Sequence, residues 1–203
     1  IIVLSQRSED SGFMAEVMEK KIPMAVICRS VDIDAPNVTT DEAKAMERAM
    51  DYLLDNGHRR IAVIQGTPGL DSTALRRKGW RRSIKRHGLD ADAVPVASGN
   101  YRYESGYRAA KELLPFRPTA ILCFNDEMAF GARTAITEAG LQVPEDVSLM
   151  GFDNWDLSGY SQMRLTTVER NMGEIAREGA RILLKRLDEG IVDNRRVYLD
   201  TRL

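Results

Sequence analysis

The stretch "TAILCFNDEMAFGA", residues 119–132, decides the fold class of this chain. A short apolar run, typical of a strand covered on both faces, changes directly into a helical pattern at Asn125-Asp126-Glu127. Asn and Asp are favoured helix caps, so one of the two side chains is expected to cap this helix. Its neighbour would then lie at the carboxyl end of the strand, where α/β proteins bind polar ligands.

The same change from strand to helix recurs along the chain. Six apolar runs are typical of covered parallel strands: 1–4, 24–28, 61–65, 94–97, 119–124 and 147–152. Three helical stripes each stop at a glycine: residues 46–54 before Gly57, 128–139 before Gly140, and Met172 to Leu187 before Gly190. We therefore predict an α/β fold with two lobes, each a parallel sheet flanked by helices.

The first two apolar runs stand apart from the other four. The segment "VDIDAPNVTTDE", residues 31–42, lies between these two runs and the other four and is interpreted as helix and loop. Two parallel strands cannot cover both faces of a sheet, and the chain opens inside a strand without a methionine. We expect the N-terminal lobe to be incomplete and the protein to extend further towards its N-terminus.

Composition narrows the class of protein. The chain has 203 residues, 43% hydrophobic and 29% charged, with 29 basic and 30 acidic side chains, so it carries no general bias towards nucleic acid or anionic membranes. No apolar run is long enough to span a membrane, and "IIVLSQRSED" lacks the features of a signal peptide. Cys28 and Cys123 are interpreted as buried reduced thiols, which favours a cytoplasmic location.

Polar side chains at the predicted strand ends are the candidate ligand-binding residues. Arg76 lies in the first turn of a basic helix capped by Ser72, where its guanidinium could hold hydroxyls or a carboxylate in paired hydrogen bonds. Asp153 comes after the predicted strand 147–152, and Trp155, two positions later, is also a candidate contact. Tyr101 comes after the predicted strand 94–97. An ordinary turn at Asp153 and a half-buried aromatic ring at Tyr101 are the structural alternatives. The other basic residues of the helix are interpreted as a solvated face: Arg77, Lys78, Arg81 and Arg82.

Chemistry other than ligand binding has little support. His58 and His87 have no partners at metal-ligand spacing, so no metal is expected. The sequence has no Gly-x-Ser-x-Gly elbow and no phosphate-binding glycine loop, and no cofactor or catalytic residue is assigned. An acid–base site formed by Asn125, Asp126 and Asp153 stays open as an alternative.

The order of motifs resembles the LacI/GalR family of bacterial transcriptional regulators over essentially the whole chain. The motifs that carry the resemblance are "NGHRRIAVIQG" (56–66), "STALRRKGWRRSI" (72–84), "SGNYRYESGYRAAKELL" (98–114), "PTAILCFNDEMAFGARTAITEAGLQVPEDVSLMGFDN" (118–154) and "LTTVERNMGEIAREGARILL" (165–184). The resemblance implies the effector-binding and dimerisation portion, with the two-lobed fold of periplasmic sugar-binding proteins. It also implies a helix-turn-helix domain upstream of Ile1.

By the same resemblance, a sugar-like effector, or a purine, lies in the cleft between two lobes. Residues 1–40 and 172–199 would form the N-terminal lobe and 41–168 the C-terminal lobe, to which 200–203 return. The implied polar clamp is Arg76 with Asp153, and Asn125 is the amide beside it. Tyr101 would form an aromatic wall. Ser72 would be a small polar residue facing the pocket, and Met172 the side chain that closes it. Asp126 is expected to be structural.

The chain departs from the family pattern at three positions. Cys28 replaces an acid often found before the arginine at Arg29, Ala74 replaces a second arginine, and Asn171 replaces proline. The predicted function is that of a homodimeric, cytoplasmic regulator whose effector modulates binding to operator DNA. An exported sugar-binding protein of a transporter is the first alternative, and an α/β enzyme acting on a small polar substrate is the second.

Overall fold

The computed structural model describes residues 1–4, 11–28, 35–155, 158, 164–190 and 194–203. These residues form two compact units. The first unit consists of Ile1–Asp41, Leu70–Ser72 and Arg170–Thr201, and the second of Glu42–Gly69, Thr73–Glu169 and Arg202–Leu203. The units differ from the lobes predicted from the sequence at Leu70–Ser72, which group with the first unit, and by a few residues near the crossings.

The first unit has one parallel sheet of four strands in the order β1-β2-β3-β9. Its elements are β1 (Ile2–Leu4), α1 (Ser11–Glu19), β2 (Ala25–Ile27), β3 (Asn37–Thr40), α6 (Met172–Glu189) and β9 (Arg196–Leu199). The interpretation of residues 31–42 as helix and loop was wrong, because β3 lies within them. Asn37 and Thr40 of β3 are buried polar residues, so this strand has no apolar signature.

The second unit has a parallel sheet of five strands in the order β5-β4-β6-β7-β8. Its strands are β4 (Ile61–Gln65), β5 (Val96–Ser98), β6 (Ala120–Cys123), β7 (Ser148–Asp153) and β8 (Thr166–Glu169). Its helices are α2 (Glu42–Asp55), α3 (Asp71–Arg86, in this unit from Thr73 onward), α4 (Tyr103–Leu113) and α5 (Asp126–Glu138). The predicted α/β fold with parallel sheets is confirmed.

The helical stripes bury most of the residues that the periodicity indicated, with exceptions at the ends of α5 and α6 and at Ala176, which is exposed within α6. All five apolar residues of the α2 stripe are buried, namely Met46, Ala49, Met50, Leu53 and Leu54. In α5, Ala139 is exposed because the helix ends at Glu138. In α6, Met172 and Leu187 are 42% and 57% exposed, which corrects the prediction that they belong to the buried face. No helix among the described residues is long and apolar enough to cross a lipid bilayer.

The basic face of α3 is only partly a solvated surface. Arg82 and Arg86 both contact the Glu47 carboxylate of α2, and Arg86 also contacts Asp51. Arg81 pairs with Asp92, whereas Arg77 and Lys78 are exposed as predicted. The charged side of α3 therefore contacts the acids of α2.

Helices α4 and α5 cross at glycines. A Cβ atom built on Gly106 would lie 2.1 Å from the Met128 carbonyl oxygen, and one on Gly131 would lie 2.0 Å from the Tyr103 carbonyl oxygen. Both distances are far below van der Waals contact with backbone atoms that cannot rotate away. The crossing therefore fixes the position of α5, which is capped by Asn125 and begins at Asp126.

We expect Gly106→Ala to lower the free energy of unfolding by about 1–3 kcal/mol, because overpacking outweighs the gain in helix propensity. Arg108→Ala changes an exposed residue of the same helix to alanine and should change stability by less than about 0.5 kcal/mol. Urea denaturation followed by tryptophan fluorescence reports on this unit, since Trp80 and Trp155 both lie in it. A Gly106→Ala protein as stable as the Arg108→Ala protein would contradict the packing described.

Candidate functional site

Four of the predicted site residues come together at the carboxyl edge of the five-stranded sheet. Asn125 follows β6, Asp153 ends β7, Tyr101 follows β5, and Arg76 lies in the second turn of α3, which follows β4. Parallel strands put their carboxyl ends at one edge, so residues that are far apart in sequence meet there. The groups they bring together are a guanidinium, a carboxylate, an amide and a phenol.

Arg76 is the centre of this cluster and is almost fully buried, with 2% exposure. Its Nε and one terminal nitrogen donate to the two carboxylate oxygens of Glu42, at 3.1 and 3.2 Å. The same terminal nitrogen lies 3.4 Å from Asp153 Oδ1, and the other donates to the carbonyl of Phe124. The guanidinium carbon lies 3.9 Å from the centre of the Phe152 ring. Arg76 thus joins α2, β6 and β7 at one point.

Burial and charge act in opposite directions on the Arg76 guanidinium. Desolvation lowers its pKa, but the nearby carboxylates of Glu42 and Asp153 outweigh that effect, so the pKa lies above its ordinary value. The group is therefore a fixed cation. A buried ion pair adds little net stability, but removing one partner leaves an uncompensated charge in the interior. Arg76 and Glu42 consequently depend on each other.

Asn125 caps α5, as one of the two side chains was expected to do. Its Oδ1 accepts from the Met128 N–H at 3.0 Å, and its Nδ2 donates to the Tyr101 carbonyl at 3.0 Å. The residue is 6% exposed, so each polar group of the amide already has a protein partner. Direct contact of Asn125 with a ligand stays a prediction.

Tyr101 is held by its surroundings in a conformation that non-glycine residues seldom adopt. Its φ is +66°, in the left-handed region, and its hydroxyl pairs with Thr73 Oγ1 at 2.8 Å. A Cβ atom on Gly66 would lie 2.0 Å from the Tyr101 ring, so only glycine admits the ring at that place. Half-buried and 5.8 Å from the Arg76 guanidinium, the ring can form a wall of a site.

Asp126 has a structural role in the described part of the chain. Its carboxylate accepts hydrogen bonds from the Trp155 N–H at 2.8 Å and from the hydroxyls of Ser158 and Thr167, both at 2.6 Å. A Cβ atom on Gly151 would lie 2.1 Å from Asp126 Oδ1, so glycine is required for this approach. Burial raises the pKa of Asp126 in spite of these hydrogen bonds, and the charge of Asp153 raises it further.

Asp153 of the cluster and Trp155, two residues further along the chain, are both partly exposed. The side chain of Asp153 is 23% exposed, Trp155 is 43% exposed, and Asp153 has a φ of +108°. Asn154 between them also has a positive φ, of +54°. Two successive residues in unfavourable backbone conformations carry a cost of about 1–3 kcal/mol each and occur most often at functional sites.

Ser72 and Met172, the other predicted ligand contacts, belong to the first unit. The prediction that Ser72 caps the basic helix was wrong, because α3 begins at Asp71 and Ser72 lies within its first turn, two residues beyond the cap position at Leu70. Met172 begins α6, and its sulfur accepts a weak hydrogen bond from the Cys28 thiol at 3.8 Å. Cys28 is half-buried, which corrects the expectation of a buried thiol, while Cys123 is fully buried. Arg29 lies outside the described residues.

Sequence reasoning missed the partners that organise the cluster. Glu42 lies in the segment 31–42 that the sequence pattern indicates as helix and loop, but it is 4% exposed and forms the ion pair with Arg76. The carbonyl of Phe124 and the hydroxyl of Thr73 are further partners. No local signal identifies the role of Glu42, because an acid in the first turn of a helix is ordinarily explained by its favourable interaction with the helix dipole.

Two cavities of the second unit lie away from this cluster. One, of about 350 Å³, is lined by His58, Ser148 and Thr166, and the other, of about 310 Å³, by Ile61, Pro95 and Phe116 among others. Both adjoin the amino ends of the strands. None of the predicted site residues lines either cavity. The two cavities are therefore separate from the cluster and are the alternative locations for a ligand.

Comparison with known proteins places the chain among bacterial regulators. The family of periplasmic binding protein-like domains matches residues 50–203. The chain is 36% identical over 192 residues to the probable HTH-type transcriptional repressor ExuR of Bacillus subtilis (strain 168), covering 93% of this chain and 58% of that protein. It is 34% identical over 180 residues to the HTH-type transcriptional repressor CytR of Escherichia coli (strain K12), covering 86% and 53%.

A solved structure agrees with the sequence relatives. The transcriptional regulator CelR in complex with cellobiose has a TM-score of 0.88 and 26% identity, covering 99% of this chain and 63% of that one. The chain spans 53–58% of the length of the two curated relatives named here. These relatives are named as repressors and not as enzymes, which agrees with the prediction that the chain is not an enzyme.

We expect Arg76→Met to lower the free energy of unfolding by about 3–5 kcal/mol, because it leaves the buried Glu42 carboxylate without its partner. The double variant Arg76→Met/Glu42→Leu should recover most of that loss, since no charge then stays buried. Urea denaturation measures both.

The control is Arg102→Met, which removes the 72% exposed partner of a 3.7 Å ion pair with Glu127 in the same unit. It should cost less than about 1 kcal/mol. An Arg76→Met protein no less stable than the Arg102→Met protein would show that the buried pair does not hold the site.

Proposed function

Since this chain belongs to the periplasmic binding protein-like family, in the form found in LacI-family transcriptional regulators, we propose that it senses a small polar metabolite, a sugar or sugar derivative, for a DNA-binding regulator. The observation that carries the proposal is the cluster of Arg76, Tyr101 and Asp153 at the carboxyl edge of the second unit's sheet. Such edges are where open α/β sheets bind ligands.

The geometry of the cluster supports hydrogen-bonded recognition of hydroxyl groups. Asp153 offers carboxylate oxygens in the partly exposed position, and Arg76 holds one of them at 3.4 Å. The ring of Tyr101 supplies an apolar face beside them, which suits the C–H face of a sugar ring. The aromatic side chain of Trp155, 43% exposed, is a second such surface. Polar groups for orientation and aromatic faces for contact area are the usual composition of small-molecule sites.

The backbone conformations of the cluster, together with the named relatives, support function over a purely structural role. Tyr101 and Asp153 keep positive φ values of +66° and +108° although neither is glycine. Strain of this kind is retained where a side chain must point in a required direction. Relatives named as repressors, and a regulator solved with cellobiose, support the same class of function for this chain.

The proposal extends to the whole protein. The chain has 29 basic and 30 acidic residues, so we place the contact with operator DNA in another part of a longer protein. The ligand would favour one of two states of a cytoplasmic homodimer and thereby change its affinity for DNA, which requires a difference in ligand affinity between those states. Ser72, Asn125 and Met172 stay in the proposal as further ligand contacts.

A thermal-shift screen of the chain tests the proposal. The panel is D-ribose, D-glucose, D-galactose, cellobiose, adenosine and hypoxanthine. A ligand at about 100 times its dissociation constant adds about 2.7 kcal/mol. Since about 1 kcal/mol shifts the melting temperature of a domain of this size by about 2–4 °C, the expected rise is roughly 5–11 °C. At least one sugar should produce this shift.

Asp153→Ala should abolish the shift, because Asp153 contacts the ligand. Asp55→Ala, an exposed residue at the end of α2, is the control and should keep it. No shift with any sugar, or the same shift in the Asp153→Ala protein, would contradict the proposed function or its site.

A further inference from the structure

The larger cavity of the second unit, of about 350 Å³, adjoins the amino ends of the strands, at the edge of the sheet opposite the Arg76 cluster. Its polar lining comes from the residues after α2, from α5, from the start of β7 and from the segment that enters β8. Six side chains define what we call the amino-edge cavity: Asn56, His58, Arg133, Ser148, Arg164 and Thr166. A cavity of this size is typical of sites for small molecules.

The lining of the amino-edge cavity is positively charged. Arg133 and Arg164 line it, and no Asp or Glu among the described residues does so. The acids close to the lining in sequence, Asp55, Glu145 and Asp146, are exposed and lie outside it. The Asp146 carboxylate accepts a backbone N–H of its own turn at 2.8 Å. Charges in a partly enclosed space are less screened than in bulk water, so this lining favours an anionic ligand.

Both arginines can serve as hydrogen-bond donors to such a ligand. Arg164 is exposed, whereas Arg133 is half-buried on α5 and has a further interaction within the molecule. A guanidinium has five N–H groups, so the site does not require an unpaired Arg133. The planar fork of arginine matches the oxygens of a phosphate or a carboxylate and holds them in paired hydrogen bonds.

The other polar groups of the lining orient a ligand without adding charge at neutral pH. The Nδ1 atom of His58 pairs with Thr119 Oγ1 at 3.0 Å, and burial lowers the pKa of His58, which favours the neutral ring. Ser148 and Thr166 begin the neighbouring strands β7 and β8 and add two hydroxyl groups. A hydroxyl can donate a hydrogen bond to an anion.

The end of α2 does not cancel this preference for an anion. The last carbonyls of a helix carry partial negative charge when they lack partners. In α2 the Leu53 carbonyl accepts from the His58 N–H at 3.1 Å, and the Leu54 carbonyl accepts from the Gly57 N–H at 3.0 Å and from Arg59 at 2.7 Å. These carbonyls are therefore bound by the segment that follows the helix.

We propose that the amino-edge cavity is a second ligand site of this chain, which takes a small anion with a phosphate or carboxylate group held by Arg133 and Arg164. Apolar side chains of Leu53, Val143 and Leu165 also line the cavity and would contact the carbon skeleton of an organic anion. The inference does not rest on the proposed function, because the sugar is placed at the opposite edge of the same sheet and both ligands can be present together.

Backbone NMR spectra of the ¹⁵N-labelled chain test the inference. Inorganic phosphate and malonate each replace sodium chloride at constant ionic strength and pH, so the two titrations distinguish a phosphate from a carboxylate. At least one of them should shift the amide signals of Ser148, Leu149 and Thr166 and saturate with a Kd of about 10 mM or below. The amides of Tyr101 and Asp153 should not shift.

Arg164→Gln removes one of the two charges and should raise the Kd by roughly tenfold, because charge-assisted hydrogen bonds to the anion are lost. Arg108→Gln is the matched control. Arg108 is an exposed arginine of the same unit that does not line the cavity, so the Kd should stay that of the wild-type chain.

A second pair of variants leaves both arginines in place. Thr166 is exposed at the start of β8, so either a glutamate or a glutamine can replace it at the cavity. The two replacements have nearly the same size and differ in charge. Thr166→Glu should bind the anion roughly tenfold more weakly than Thr166→Gln, because like charges placed together are strongly unfavourable.

The inference would be overturned by signals at Ser148, Leu149 and Thr166 that do not saturate with either anion, or by shifts at Tyr101 and Asp153 in their place. Equal Kd values for Arg164→Gln and Arg108→Gln, or for Thr166→Glu and Thr166→Gln, would overturn it as well. Each of these outcomes leaves the sugar site at the carboxyl edge standing, since that site is tested with neutral ligands.

Discussion

The guanidinium of Arg76, buried with 2% exposure against the carboxylate of Glu42, is the interaction on which the rest of the site depends. A charge in the protein interior has to be met by an opposite charge and by hydrogen bonds, or the fold loses several kcal/mol, on the order of 3–5. This requirement draws the start of α2, the end of β6 and the end of β7 to one point. Asp153 is oriented as a consequence.

Close packing of backbone supplies the second constraint. Gly66 admits the Tyr101 ring, Gly151 admits the Asp126 carboxylate, and Gly106 lets α4 lie directly against α5. In each case a methyl group would collide with atoms that the site or its support requires. The Asp126 carboxylate then holds the backbone at Trp155, so the loop after β7 is tied to the first turn of α5. The geometry of the candidate site at the strand ends thus depends on close packing of the helices and loops at these glycines.

Much of this arrangement follows from sequence pattern alone. Apolar strands and glycine-stopped helices predicted the α/β fold, and residues after the strands predicted the cluster of Arg76, Tyr101, Asn125 and Asp153. The strand β3 was missed because Asn37 and Thr40 are polar although buried, and polar residues in sequence are more typical of a loop than of a covered strand. Glu42 was missed because no local pattern indicates which buried arginine an acid will meet across 34 positions of sequence. Long-range polar pairing is the part that periodicity does not encode.

Hydrogen–deuterium exchange of the chain, with and without the neutral sugar that stabilises it most, tests the central claim that the ligand binds at the carboxyl edge of the second unit's sheet. The account predicts slower exchange in the backbone around Tyr101 and from Asp153 to Trp155, where the candidate contacts lie. Slower exchange confined to the backbone around His58 and Ser148, or around Pro95 and Phe116, would place the ligand in one of the two cavities at the amino ends of the strands. That result would contradict the assignment of Arg76 and Asp153.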